Sequence, residues 1–411
     1  MRFFSTSIAV IGCLWFADVS ESSETLNHWV QLGPDAELVV RAITRSSKCP
    51  TMQIDGRPVA MSLRAEATQQ FPGLVCERHL PRSQSNMVLD GRPLATLNPD
   101  VRRIAVIGDT GCRIRGTRVQ ACNNPDAWPL NAIMAEIVAQ KPDLVIHVGD
   151  YIYRQSPCPP SHDCLGSPYG DNLQTWLADW FGPAQHLLSQ VPFVFIRGNH
   201  EECGRGAQGW FRYLAVGSPP AACPAASDPW KAQIAGVDLI VFDASDGPAA
   251  HSATDQLPVY KRMAHAIFAT LQRETWFLTH RPLWAHMRAF DEIINGDDTQ
   301  REAFGAAMPQ AITLVLSGHL HAFQALDMAH GPAQVISGNS GTLLDPMPTG
   351  MERDLKVAGS LARQIVNDGG FGFLMLTRTN QRGWHMDVLD AKGERRHRCH
   401  LLGRDLSCPA L

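Results

Sequence analysis

An α/β layered core, preceded by a small all-β region, is the architecture that the sequence predicts. Two observations carry it. Residues from about 25 to 100 contain short β-like runs separated by polar turns. From residue 103 onward, apolar strand-like runs alternate with segments of helical spacing, the pattern of helices layered on a sheet. A third observation bears on chemistry: five short polar segments each follow the carboxyl end of an apolar run.

Taken in order, the chain opens on Met1-Arg2, then an apolar run over residues 8–17 interrupted by Gly12 and Cys13, then Asp18, Ser20, Glu21, Ser22 and Ser23. The run is too short to span a bilayer, so residues 1–20 read as a cleaved signal peptide and the protein as secreted or periplasmic, without a stable membrane span. Val10-Ile11-Gly12-Cys13 loosely resembles the bacterial lipoprotein processing signal, which makes anchoring at Cys13 the alternative. The apolar Leu14-Trp15-Phe16 directly after the cysteine argues against it.

Residues 25–100 read as a small β-sandwich-like accessory domain. Glu37-Leu38-Val39-Val40-Arg41-Ala42-Ile43 is one β run, and Asp55-Gly56-Arg57-Pro58 and Asp90-Gly91-Arg92-Pro93 repeat one turn sequence. Asp-Gly favours tight hairpins. Asn98-Pro99-Asp100 marks a boundary, because the residue before proline avoids the helical region. The second domain is then 101–411.

Within it, residues 103–107, 144–148, 193–196, 237–242, 275–278 and 312–316 read as buried strands. Residues 128–140, 173–188 and 259–273 read as helices, the first through Leu130, Ile133, Met134, Ile137 and Val138 at helical spacing. Residues 371–377 and 384–389 are further strands closing the core.

Composition frames the function. Hydrophobic residues make up 45%, enough to bury substantial cores. The formal net charge is −4, from 36 basic and 40 acidic residues, which gives no support to nucleic acid or an anionic membrane as partner. Setting Cys13 aside, ten of the 11 cysteines remain. Cys112 and Cys122, Cys158 and Cys164, Cys203 and Cys223, and Cys399 and Cys408 are close in sequence, leaving Cys49 with Cys76. Disulfides in an oxidising compartment are the expectation. None of the pairs has the two-residue spacing of a zinc knuckle.

The five polar segments are Gly108-Asp109-Thr110-Gly111, Gly149-Asp150-Tyr151-Ile152-Tyr153, Gly198-Asn199-His200-Glu201, Phe277-Leu278-Thr279-His280 and Gly318-His319-Leu320-His321. Each lies where open α/β sheets place their ligands. Together they supply two aspartates, a tyrosine, an asparagine and three histidines, sufficient oxygen and nitrogen donors for two adjacent cations. One short-stemmed carboxylate can bridge two ions, and a tyrosine binds only as a phenolate, which calls for an acidic cation such as Fe(III). His319 and His321, two residues apart on an extended segment, point the same way.

The ordered set resembles the calcineurin-like metallophosphoesterases, and within them the purple acid phosphatases, over roughly residues 103–340. Most members have Asp-x-His in the first segment; here Asp109-Thr110-Gly111 has glycine, and Tyr153, three after Asp150, stands where the purple type has its tyrosine. Phe277 replaces the usual valine ahead of the fourth segment. The resemblance implies a metallophosphoesterase-type β-sandwich flanked by helices and a binuclear centre of Fe(III) with a divalent ion (Fe, Zn or Mn). Asp109, Tyr153, His321 and Asp150 are then the ferric ligands, and Asn199, His280, His319 and the shared Asp150 the divalent ones. It further implies hydrolysis of small-molecule phosphate monoesters by a metal-activated hydroxide, catalysed at Asp150 with His200 stabilising charge or protonating the leaving group. His286 and Arg288 are candidate substrate contacts, at a spacing that departs from the paired histidines of plant enzymes. A phosphodiesterase on the same metal core and a non-catalytic binding protein are the alternatives; retention of all seven donors weighs against the latter.

Overall fold

Strand alternation sets the layering. The computed structural model describes residues 25–245, 255–289, 292–304, 308–380 and 383–409; the expected leader over 1–20, with Cys13, lies outside the described residues. In Arg103–Ile107, Ile104 and Val106 face an inner core while Ala105 and Ile107 face an outer one. In Val237–Phe242, Leu239 and Val241 face the same inner core, and Ile240 and Phe242 turn outward. Each central strand is therefore apolar on both faces, as a sheet covered on both sides requires.

Two sheets enclose the inner core. The first has eleven strands in the order Asp405–Ser407, Arg395–Leu402, Trp384–Asp390, Gly372–Arg378, Arg103–Ile107, Leu144–His147, Phe193–Phe195, Thr25–Leu32, Leu38–Thr44, Leu74–Leu80, Ser62–Ala65. The second has eight: Trp230–Ile234, Val237–Phe242, Thr275–Thr279, Ile312–Ser317, Ala333–Ser337, Phe323–Met328, Ser360–Asp368, Gly350–Val357. Helices Leu130–Gln140 and Gly182–Leu188 cover the outer face of the first, through Ile133, Met134, Ile137 and Leu187. Gln256–Phe268 and Asp298–Phe304 cover the second, through Tyr260, Met263, Ile267 and Phe304. The result is the expected layered sandwich flanked by helices.

The segment expected as one helix over 173–188 is broken into Leu173–Trp176, a π-helical turn Leu177–Phe181, and Gly182–Leu188. Pro183 has no N–H to donate, and the Gly182 N–H reaches back five residues to the Leu177 carbonyl. Such single π turns cluster at functional sites. This one buries Asp179, whose carboxylate accepts the Cys112 and Tyr153 N–H groups.

The N-terminal region is strand-rich, as its turns predict. Asp55 and Gly56 have φ of 50° and 76°, and Asp90 and Gly91 have 50° and 72°. Both pairs close two-residue hairpins, Ile54 pairing with Arg57 and Leu89 with Arg92, with the positive φ at both positions that the tightest hairpin turn needs. The longer strands of this region extend the first sheet: Gln31 pairs in parallel with Phe193. Arg41 and Arg64 share Glu77 at 3.2 and 2.9 Å. They also donate to the Phe211, Arg212, Tyr213 and Ala215 carbonyls at the end of helix Ala207–Tyr213, where helical carbonyls lack internal partners.

All five expected cysteine pairs are disulfides: 49–76, 112–122, 158–164, 203–223 and 399–408. Among the described residues no helix is long and apolar enough to cross a membrane.

Candidate metal centre

The carboxyl ends of five strands meet at one rim. Arg103–Ile107, Leu144–His147 and Phe193–Phe195 of the first sheet deliver Asp109, Asp150 and Asn199; Thr275–Thr279 and Ile312–Ser317 of the second deliver His280 and His319. The site therefore straddles both sheets. Asp109, Asp150 and His319 have φ of 55°, 62° and 73°, left-handed conformations that cost a non-glycine residue of order 1 kcal/mol or more and that collect at functional sites.

The seven donors form two groups that share one carboxylate. In the first, the Tyr153 hydroxyl lies 2.7 Å from Asp109 Oδ1, 2.8 Å from Asp150 Oδ2 and 3.2 Å from His321 Nε2. In the second, Asn199 Oδ1 lies 3.0 Å from His280 Nε2 and 2.6 Å from His319 Nδ1. Asp150 Oδ2 is also 3.2 Å from His280 Nε2. One atom thus touches both groups.

The donor chemistry fits cations. His280 Nδ1 is 2.8 Å from the Val148 carbonyl and His321 Nδ1 is 3.0 Å from the Leu343 carbonyl. A carbonyl only accepts, so each Nδ1 carries its hydrogen and Nε2 is turned toward the cluster, the arrangement that orients imidazole ligands. Burial pushes the Asp109 carboxyl well above its ordinary range, and neighbouring Asp150 adds to the effect. Burial also opposes the charge on Asp150, but the His280 and His200 imidazoles outweigh it and hold that carboxyl well below its usual range. His280, despite burial, is raised to about 9 by Asp150 and Asp109. Without a cation, a proton between Asp150 and His280 balances the site; metal binding displaces such protons. Burial, with Asp109 and Asp150, pushes the Tyr153 phenol well above its ordinary value, so only a strongly polarising cation would strip its proton. Among the described residues, Asp150, His280 and His319 place their ligand atoms within 4.8 Å of one another.

Close packing explains two glycines. A Cβ on Gly111 would lie 2.6 Å from the Tyr151 carbonyl oxygen and 2.8 Å from Asp179 Oδ2, which leaves no room for a larger residue there. A Cβ on Gly198 would lie 2.1 Å from Asp150 Oδ1.

Two buried acids that sequence reasoning missed hold the loops. Glu201 accepts the N–H groups of Asp150, Tyr151 and Gly198 at 3.1, 2.8 and 3.1 Å; burial, and then Asp150, raise its carboxyl to about 8. Asp179 accepts the N–H groups of Cys112 and Tyr153 at 3.2 and 2.8 Å. It is the lone acid inside Trp176-Leu177-Ala178-Asp179-Trp180-Phe181, a pattern that marks burial but not which N–H groups the acid accepts.

Above the donors lies a cleft of about 700 Å³, lined among others by Asp150, Asn199, His200, His319 and His321. His200 donates its N–H to Asp150 Oδ1 at 2.7 Å, and its Nδ1 is 3.1 Å from the Ile152 carbonyl. Burial, against the pull of Asp150, lowers its pKa to about 3. Arg288 lines the cleft; His286 is not on its wall, and its backbone is fixed by Gln324, which bonds both its N–H (2.7 Å) and its carbonyl (2.8 Å). The structure also brings in Arg113, Arg115, Arg118 and Arg205, which sequence reasoning did not single out. A second pocket of about 420 Å³ adjoins the cleft at His200 and Arg205, with Ile152, Arg154, Gln155 and Asp171 on its wall.

Known proteins share this fold. The structure is similar to that of purple acid phosphatase PPD1 from yellow lupin (Lupinus luteus) seeds, with a TM-score of 0.59 and 14% identity over 91% of this chain and 73% of that one. It is also similar to PhoD, with a TM-score of 0.57 and 11% identity over 96% of this chain and 93% of that one. At these identities the likeness is one of fold. No curated protein sequence matches the chain. The calcineurin-like phosphoesterase model matches residues 102–323, more than half of the sequence. The chain therefore belongs to the calcineurin-like phosphoesterase family, and is a metal-dependent hydrolase of phosphoric esters.

Proposed function

We propose that the protein is an exported phosphomonoesterase of the acid-phosphatase type, in which Asp109, Tyr153 and His321 hold Fe(III), Asn199, His280 and His319 hold a divalent ion (Fe, Zn or Mn), and Asp150 is shared. The observation that carries this reading is the position of Asp150 Oδ2, 2.8 Å from the Tyr153 hydroxyl and 3.2 Å from His280 Nε2. When bound, such a pair supplies a hydroxide near neutral pH and neutralises charge on a phosphoryl group.

The chain's own residues do the rest. Glu201 and Asp179 fix the backbone of the Asp150–Tyr153 turn, so the donors are preorganised before substrate arrives. His200 lines the cleft with Nδ1 tied to the Ile152 carbonyl and Nε2 3.9 Å from Asp150 Oδ2; in its protonated form Nε2 donates to an ester oxygen. Arg288 contacts the substrate from the cleft wall, and His286, two residues before it with its backbone fixed by Gln324, is the second candidate contact. Residues 25–100 serve the catalytic unit 101–411 as a β-rich accessory region. Export is supported by the five disulfides and by the apolar run over 8–17.

A phosphodiesterase is the second reading, favoured by the pocket adjoining the cleft at His200 and Arg205, which offers room for a second ester group. Metal analysis with a visible spectrum, then monoester and diester assays on one preparation, tests both. Iron with a visible band that Tyr153→Phe removes supports the ferric assignment; full activity in a colourless, iron-free wild type overturns it. A diester turned over faster than any monoester would favour the second reading.

A further inference from the structure

We propose that the arginines of the cleft form a second anion subsite, and that the preferred ester carries at least two phosphoryl groups. This rests on the phosphoesterase reading and narrows its substrate. Arg113, Arg115, Arg118, Arg205 and Arg288 line one cleft in a chain whose formal net charge is −4. Three elements supply them: the hairpin Ile114–Arg115/Arg118–Val119 with the residue before it, the loop after His200, and the strand Met287–Ala289. Positive charge therefore faces the cleft from several sides.

Little of that charge is balanced. Arg118 Nη2 is 4.0 Å from Asp345 Oδ1 and Arg205 Nε is 2.9 Å from Glu202 Oε1, partly exposed pairs of modest worth. Arg113 is the telling case. It is 6% exposed and lies over the Tyr153 ring at 4.7 Å; among the described residues its Nε has no partner, and its Nη2 faces His321 Nε2 at 3.3 Å. Buried Arg41, Arg64, Arg154 and Arg197 each meet a carboxylate. A buried guanidinium without a counter-ion is costly, and an anionic ligand removes the cost. Guanidinium groups bind phosphate oxygens two at a time. A cleft of about 700 Å³ accommodates a whole small molecule, more than the single phosphoryl group that two cations clamp.

Matched pairs test this on the metal-loaded protein: fructose 1,6-bisphosphate against fructose 6-phosphate, and adenosine diphosphate against the monophosphate. Calorimetric binding of 1,3-propanediphosphonate against propylphosphonate gives a readout independent of turnover. In the wild type the second phosphoryl group lowers KM and Kd by about tenfold or more, roughly one charge-assisted contact. In Arg115→Ala/Arg118→Ala, whose two side chains are exposed, that advantage falls to about threefold or less; the double lysine variant retains part of it. The pair with the larger ratio sets the spacing of the two groups. Equal values within each pair, or an advantage that survives the double alanine variant, overturn the proposal. If no ester is hydrolysed, the phosphoesterase reading itself fails, and calorimetry alone decides the subsite.

Discussion

At the residue scale, one carboxylate does the work of two. Asp150 offers Oδ2 to both donor groups while Oδ1 accepts the His200 N–H. Asp150→Asn should abolish hydrolysis and lower metal content, measured by metal analysis beside a phosphatase assay; full activity would remove the centre as the seat of chemistry. Gly198→Ala should do similar damage with every ligand residue left in place, because its Cβ would lie 2.1 Å from Asp150 Oδ1. The expected outcome is a folded protein by circular dichroism that retains little metal. Residues of this kind were legible because each donor follows an apolar strand, and the side-chain type announces its chemistry. Glu201 and Asp179 were not, since they act by accepting backbone N–H groups, and a sequence does not print where those point. The neighbourhood of His286 was equally hidden, because its backbone is fixed by Gln324, a residue on another strand.

At the element scale, helices, strands and hairpin turns followed from local pattern, and the exceptions have local causes. The Leu177–Phe181 π turn arises at Gly182-Pro183 and carries Asp179 beneath the first loop. Disulfides brace the loops that leave the site. Cys203–Cys223, with a sequence separation of 20, closes the chain just after His200. Cys203→Ser/Cys223→Ser should cost about 3 kcal/mol, the usual return from a loop of that size, read as a lower denaturant midpoint. A midpoint unchanged within error would show that the loop is held by its packing alone.

At the scale of the whole molecule, the two halves are tied by charge as well as by strands. Glu77 serves both Arg41 and Arg64, which in turn cap helix Ala207–Tyr213. Burial opposes the charge on Glu77, but the two guanidinium groups outweigh it and lower its pKa. A lowered folded-state value gives stability that is present above the unfolded pKa of about 4.3 and is lost as pH falls through the folded one. Glu77→Gln should therefore cost about 2 kcal/mol at pH 7, less than a fully buried pair broken on one side because Glu77 keeps some contact with solvent. The gap in Tm from the wild type should close below about pH 4; a gap constant with pH would mean the loss is one of packing. Long-range pairing was the part of the fold that local pattern could not supply, and the parallel match of Gln31 with Phe193 is the plainest instance. It also has a consequence in time. Thr25–Leu32 finds one neighbour at once in Leu38–Thr44, but its other edge waits for Phe193–Phe195. At ribosomal rates of ~5–20 residues per second that edge stands open for roughly 10–30 s, and an unpaired edge recruits other chains. Aggregation during synthesis, more than weakness of the finished fold, is the hazard this topology carries.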